Sequence, residues 1–287
     1  MSQPTPEPRI LLGITTRNRA ALLPRALRSA GAQDVPNLGI AVHDDASTDD
    51  TAGVQAAFPT VRWTRSADVL GLRTVRQRWM MEAEADYFVS LDDDAWFLST
   101  DEVRIALQRF ARQPDLAAVA FDVLSPDAPH PQPRSQPQPT TLFVGCGHMV
   151  RLSAVRAVEG YSAAPGPYGS EEKDLCLRLM DAGYRVERLP GVHVWHEKAW
   201  IGRDHGAIHR SGVCNELAMT VRRCPAPELC FVLPLKLASF ARFWVRNPQL
   251  ASSGCRGVVD TVRLGRGLWR SRRPVRRQTF WRFHRAR

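Results

Sequence analysis

The 287-residue chain has no Cys-x-x-Cys pair, and its six cysteines (146, 176, 214, 224, 230 and 255) follow no ligand-like spacing. That argues against a disulfide framework or a structural zinc site and predicts reduced thiols. No apolar run reaches membrane-spanning length. The longest, Leu229 to Val245, has 17 residues and is interrupted by Pro234, Lys236 and Arg242, which leaves only a helix lying on a membrane surface. The opening Met1-Ser-Gln-Pro-Thr-Pro-Glu-Pro lacks the basic and apolar regions of a secretory leader, which predicts a cytoplasmic protein. Internal repeats are absent. With 44% hydrophobic and 24% charged residues, the chain buries a core, so disordered and collagen-like polymers are excluded.

Charge is unevenly placed. The formal net charge is +10, and residues 256 to 287 hold eleven arginines against one acid, Asp260, which is also +10. The preceding 255 residues hold 28 basic and 28 acidic side chains and are neutral. An anionic partner is therefore expected at the C-terminal end rather than over the whole surface. Ser125 to Pro139 carries six prolines in fifteen residues and reads as an extended loop without its own core.

Up to about residue 125, short apolar runs alternate with helical patterns. Strands are predicted at Ile10 to Thr15, Leu38 to His43, Val61 to Thr64 and Tyr87 to Leu91. Helices are predicted at Ala20 to Ala30, Thr48 to Phe58 behind a Ser47 cap, and Leu72 to Ala85. Alternation of this kind gives an α/β fold with parallel strands and crossover helices, whose ligands bind beyond the carboxyl ends of the strands. Three polar clusters stand at those ends: Thr15-Thr16-Arg17-Asn18, Asp44-Asp45 and Asp92-Asp93-Asp94.

Three adjacent aspartates repel one another, and a hard divalent ion such as Mg²⁺ or Mn²⁺ is the simplest compensation. An acidic turn before the helix starting near Thr100 is the plainer alternative, and Asp44-Asp45 equally suits a helix cap. Further on, Glu171, Glu172 and Asp174 open a helix; acids there suit the positive helix terminus or supply a general base. His193 and His196 lie three apart in a strand-like run, so only one of them faces a given side. A zinc pair from His205 and His209 with His196 is a weaker alternative.

Taken in order, these clusters resemble the family 2 glycosyltransferases of the GT-A, nucleotide-diphosphosugar-binding fold. The matching pieces are Ile14-Thr-Thr-Arg-Asn-Arg, Val42-His-Asp-Asp-Ala-Ser-Thr-Asp-Asp-Thr, Gly71-Leu-Arg-Thr-Val-Arg, Leu91-Asp-Asp-Asp, Gly169-Ser-Glu-Glu-Lys-Asp-Leu-Cys-Leu-Arg-Leu and His193-Val-Trp-His196. The resemblance implies an inverting, metal-dependent transferase with a Rossmann-like mixed or parallel sheet at residues 9–210. A helical, Arg-rich extension is expected at 211–287 and a flexible stretch at 1–8. Thr15, Arg17, Asp44 and Asp45 would serve the nucleotide, Arg76 the diphosphate, and Asp92 and Asp93 the ribose and phosphates. Asp94, Asp92 and His196 would hold Mn²⁺ or Mg²⁺.

The base position falls on Glu172, with Glu171 and Asp174 as rivals, because the family pair is normally Glu-Asp. Gln77 is a second departure, standing where relatives carry Asn. The Gly145-Cys-Gly-His148 run would lie under the acceptor, where glycine allows close backbone approach, or form an ordinary turn.

The expected donor is a nucleotide-diphosphate sugar and the acceptor a glycan or lipid-linked hydroxyl. The arginines and aromatics of Val258 to Trp269 and Phe280 to Arg285 are expected to meet an anionic membrane surface, at the inner face of the cell membrane. Two other readings compete. A nucleic-acid-binding protein using the tail is disfavoured by the neutral, acid-tipped body, so no nucleic acid is expected. A metal-dependent phosphohydrolase leaves Asp44-Asp45 without a role.

Overall fold

The computed structural model describes residues 7–198 and 204–285. The stretch expected to be flexible, 1–8, lies mostly outside them. The chain divides into two compact units, one of Met1–Gly160 with Gly183–Ala199 and one of Tyr161–Ala182 with Trp200–Arg287. Residues 161–182 thus group with the C-terminal helices although they lie far upstream of residue 210.

The first unit follows the order β1 (Ile10–Thr16), α1 (Leu23–Gly31), β2 (Leu38–Asp45), α2 (Thr51–Ala57), β3 (Arg62–Ser66), α3 (Leu72–Glu82), β4 (Tyr87–Asp92), β5 (Ala95–Phe97), α4 (Glu102–Arg112), β6 (Leu116–Leu124), β7 (Gln138–Pro139), β8 (Gly147–Arg151), α5 (Leu152–Ala157) and β9 (Arg185–His196). One mixed sheet forms in the order β3-β2-β1-β4-β8-β6-β9-β5, with β7 on β9. β1 pairs in parallel with β2 and β4, and β2 with β3. Beyond β4 the direction reverses, because β8 runs antiparallel to both β4 and β6.

The core explains these elements. Ile10, Leu12 and Ile14 of β1 pack with Val89 and Leu91 of β4 and with Leu23, Ala26, Leu27 and Ala30 of α1. Burial of such side chains is worth about 1.5–3 kcal/mol each. Gly13 lets α3 lie close to the sheet, since a Cβ there would stand 2.5 Å from the Trp79 ring. Proline near the start of α1 delays that helix to Leu23, three residues later than expected.

α2 also starts later than expected, at Thr51, and its cap is Asp50, which accepts from the Gly53 amide. Ser47 is not the cap, because its hydroxyl and amide are committed to the loop network around Asn18 and Asp44. The Pro-rich segment ends in pairing: Gln138 and Pro139 add to the edge of β9, and Arg134 forms an ion pair with Asp122.

The second unit is helical: α6 (Glu171–Asp181), α7 (His205–Arg223), α8 (Ala226–Arg246), α9 (Pro248–Arg270) and α10 (Arg277–Arg285). α9 packs closely on α7, where a Cβ on Gly257 would stand 2.5 Å from the Arg210 carbonyl. Phe280 and Phe283 are buried in this unit. Their expected place on a membrane-facing surface is thereby corrected: the 3.6-residue period of α10 turns them inward and leaves its arginines outside. Among the described residues no helix is long and apolar enough to cross a membrane.

Candidate active site

The three polar clusters meet because the parallel register aligns their strand ends. Thr15 lies opposite both His43 and Asp92, and Thr16 opposite Asp44. After β1 the chain turns through Asn18 at a positive φ of 53°. The Asn18 amide donates to Ser47 Oγ at 3.0 Å, and the Thr48 amide donates to Asn18 Oδ1 at 2.7 Å. The loops after β1 and β2 are thereby tied together. The buried hydroxyls of Thr15 and Thr16 find no hydrogen-bond partner among the described residues, whereas Arg17 is exposed.

Asp44 accepts from the Ser47 amide at 2.8 Å and stands 3.1 Å from Arg65 Nη1. The buried Asp45 accepts from the Leu70 and Gly71 amides at 2.7 and 3.0 Å. Asp45 thus fixes the loop that leads into α3, and that loop needs a residue tolerant of φ +83° at Gly71.

Two guanidiniums compensate the aspartate triplet, a solution not expected from the sequence, where a divalent ion was the simplest answer. Arg19 Nη1 lies 2.7 Å from Asp93 Oδ1 and 3.0 Å from Asp94 Oδ2. The buried Arg76 hydrogen-bonds Asp92. Arg76 therefore meets a carboxylate of the triplet rather than solvent. Burial pushes the Asp93 carboxyl up to about 6; Arg19 opposes the shift, and Asp94 and Asp92 add to it.

His196 arrives by strand pairing. β5 follows the triplet directly and runs antiparallel to β9, with Ala95 opposite His196. The Glu197 amide donates to the Asp94 carbonyl at 2.9 Å, and His196 Nε2 stands 3.2 Å from Asp94 Oδ1. Neighbouring ligands of an octahedral ion with bonds of about 2.1 Å stand about 3 Å apart. Asp94 and His196 therefore fit one hard divalent ion, with Asp92 adjoining.

Two residues stand here in roles that their sequence motifs did not suggest. One is Arg19, the last residue of Ile14-Thr-Thr-Arg-Asn-Arg, whose role only the turn after β1 creates. The other is Cys146, which precedes β8 and was expected only as part of the Gly145–His148 run under the acceptor or in a turn. Because Leu91 pairs with Gly147, Cys146 falls beside Asp92. A carboxylate oxygen of Asp92, the Cys146 sulfur and a ring nitrogen of His196 lie within 4.8 Å of one another. Burial holds this thiol well above its ordinary pKa, and Asp92 reinforces the shift.

His148 is fully buried in β8, stacks on Phe143 at 4.1 Å, and is held neutral, pushed down to about 3 by burial. It belongs to the core rather than to an acceptor floor.

The acids expected to supply the base lie in the second unit, in the first turn of α6. Gly169 and Ser170 both take positive φ, 98° and 70°, an unusual entry of the kind that marks functional turns. Ser170 Oγ donates to Glu216 Oε2 at 2.9 Å, and Lys173 and Lys236 pair with the same Glu216. Glu171 and Glu172 are half-buried.

Asp174 is different. It is buried and held by Ser162, Arg178 and Arg223 at 2.7, 2.7 and 2.6 Å. Burial alone would raise its pKa, but Arg178 and Arg223 outweigh that and hold it below the usual carboxylate range. A carboxylate so stabilised is a weak proton acceptor, which removes Asp174 as a candidate base. His209 likewise accepts from the Trp244 indole N–H at 2.8 Å and stacks on Phe243. Among the described residues, neither His205 nor His209 joins a cluster of metal-ligating atoms.

The profile of Glycosyl transferase family 2 matches residues 12–158, just over half of the chain. The chain belongs to glycosyl transferase family 2. A second profile, the N-terminal domain of galactosyltransferase, matches residues 132–198, and no curated protein matches in sequence.

Solved structures agree on the fold. The mannosyltransferase PcManGT of Pyrobaculum calidifontis, in complex with GDP-Man and Mn²⁺, is similar with a TM-score of 0.61 at 18% identity, over 90% of this chain and 88% of that one. GalNAc-T7, solved with UDP, GalNAc and Mn²⁺, gives 0.63 at 12% identity, over 77% of this chain and 49% of that one. S. aureus TarS 1-349 gives 0.53 at 14% identity, over 70% and 63%. This family 2 glycosyltransferase has the GT-A fold.

Proposed function

We propose that this glycosyltransferase takes a sugar from a nucleotide-diphosphate donor and passes it, with inversion, to a hydroxyl of a glycan or lipid-linked acceptor. Residues 9–210 carry the transfer and 211–287 form an extension. One observation carries the reading: Asp92, Asp93, Asp94 and His196 converge with Thr15, Asp44 and Asp45 beyond the ends of parallel strands. Crevices of that kind bind nucleotides, and PcManGT and GalNAc-T7 were solved with a nucleotide or nucleotide sugar and Mn²⁺.

In this reading Thr15, Arg17, Asp44 and Asp45 line the nucleotide, and Asp92 and Asp93 the ribose and phosphates. Arg76, tied to Asp92, orients that carboxylate and brings positive charge to the diphosphate side. Asp94, His196 and Asp92 hold Mn²⁺ or Mg²⁺. When bound, the ion supplies positive charge for the diphosphate leaving group. The Glu172 carboxylate, with Glu171 as its alternate, takes the acceptor hydroxyl proton as that oxygen bonds to the anomeric carbon and the bond to the diphosphate breaks. A single displacement inverts the centre.

The helical extension supports a second part of the proposal, contact with an anionic membrane at its inner, cytoplasmic face. On α8, Leu235 and Val245 are 66% and 83% exposed; on α9, Val262 and Trp269 are 74% and 60% exposed. Arg242, Arg246, Arg256, Arg263, Arg266 and Arg270 are exposed on the same two helices, the composition of interfacial helices.

A thermal-shift panel of nucleotide sugars with Mn²⁺ or Mg²⁺ tests the donor, because a ligand of the native state raises its stability. At least one donor raises the midpoint only when metal is present, and Asp94→Asn abolishes that gain. A panel without any response in the unmodified enzyme refutes the proposal.

A further inference from the structure

The corner that fits a hard cation also presents a thiol, which a Mn²⁺ or Mg²⁺ site does not need. Cys146 sits between two glycines at the start of β8, and the β4–β8 register sets its sulfur beside Asp92. The backbone cannot drift far there: a Cβ on Gly147 would stand 2.8 Å from Val123 Cγ2. Carboxylate, thiol and imidazole form the donor mixture of a borderline-soft ion, whereas Mg²⁺ and Mn²⁺ prefer oxygen. At Zn–S and Zn–N lengths of about 2.3 and 2.0 Å, tetrahedral ligand atoms stand about 3.5 Å apart. Atoms already within 4.8 Å of one another reach that spacing by side-chain adjustments of about 1 Å.

We propose that Asp92, Cys146 and His196 form a thiophilic metal site that takes Zn²⁺ or Cd²⁺ and, by sharing Asp92 and His196, excludes Mn²⁺ or Mg²⁺. On binding, the Cys146 S–H proton passes to solvent and the thiolate donates its electron pair to the ion; nothing is oxidised or reduced. Zn²⁺ is then an inhibitor that competes with the activating ion. The exclusion, though not the thiol site itself, rests on the proposed hard-metal set.

The test is a Cd²⁺ titration of the full-length protein carrying Cys230→Ser and Cys255→Ser, which removes the two exposed thiols. The ultraviolet thiolate-to-Cd²⁺ absorption reports binding. A band is expected in this parent, and adding Cys146→Ser or Cys146→Ala weakens Cd²⁺ affinity about tenfold or more. Mn²⁺ affinity, read from the electron paramagnetic resonance of the free ion, stays within about threefold in those variants. Excess Mn²⁺ raises the apparent Cd²⁺ dissociation constant of the parent.

An absent band, or a band undiminished in folded Cys146→Ser, overturns the site. Loss of Mn²⁺ and Cd²⁺ binding together in a folded Cys146→Ala protein also overturns it. If the parent shows the Cys146 band but never binds Mn²⁺, the site stands and the hard-metal reading fails.

Discussion

Glu216 offers the most quantitative test of how the α6 entry is held. Its side chain is 14% exposed and pairs with both Lys173 and Lys236. Burial by itself would raise its pKa, but the two ammoniums overrule that and bring it down from 4.5 to about 2. A depressed folded pKa means that ionisation stabilises the fold. The contribution is complete above the unfolded value and disappears as pH falls from about 4.5 to about 2.

At about 1.4 kcal/mol per pKa unit, the shift is worth about 3 kcal/mol at neutral pH and about 1 kcal/mol at pH near 3. Glu216→Gln removes the charge while keeping an oxygen for Ser170. Urea unfolding of the two proteins at pH 7 and pH 3 is expected to give a difference of about 3 kcal/mol that shrinks to about 1 kcal/mol. A difference that is the same at both pH values, or below about 0.5 kcal/mol at pH 7, refutes the reasoning. Because Ser170 precedes Glu171 and Glu172 directly, Glu216→Gln also lowers kcat while the unfolding midpoint remains above the assay temperature.

Two further predictions follow from the same geometry. Glu172→Gln lowers kcat by about 10²–10⁴ with little change in stability, whereas Asp174→Ala removes the buried carboxylate that pairs with Arg178 and Arg223 and costs about 3–5 kcal/mol; steady-state kinetics with urea unfolding separates them, and a reversed pattern reassigns the base. For the extension, Leu235→Ser with Val245→Ser is expected to weaken co-sedimentation with anionic vesicles about tenfold or more, and added salt weakens it further. Unchanged binding removes membrane contact from the proposal. Deleting residues 256–287 is the poorer experiment, because it strips the buried Phe280 and Phe283 from the second unit.

Much of the first unit was legible in the sequence because its strands are short apolar runs with polar ends. Ile10–Thr16, Leu38–Asp45 and Tyr87–Asp92 each announce a buried strand and then stop at Thr or Asp. Helix starts were less legible. Ser47 reads as the cap of α2, but Asp50 takes that place because the Asn18 amide, 29 residues from Ser47, claims the serine hydroxyl. Glu171, Glu172 and Asp174 looked alike, and what separates Asp174 is Arg223, 49 residues away.

By itself, then, the sequence determined where charge lies along the chain and which strand ends carry acids, since both are local properties of pattern and composition. Only the tertiary structure decided which charges meet. Arg19 and Arg76 offset the aspartate triplet because the turn after β1 and the placement of α3 set them against it. Cys146 joins Asp92 because β8 reverses direction beside β4, and inward-facing Phe280 and Phe283 leave the arginines of α10 outside. Pairings across tens of residues are set by packing and register, which no local pattern encodes.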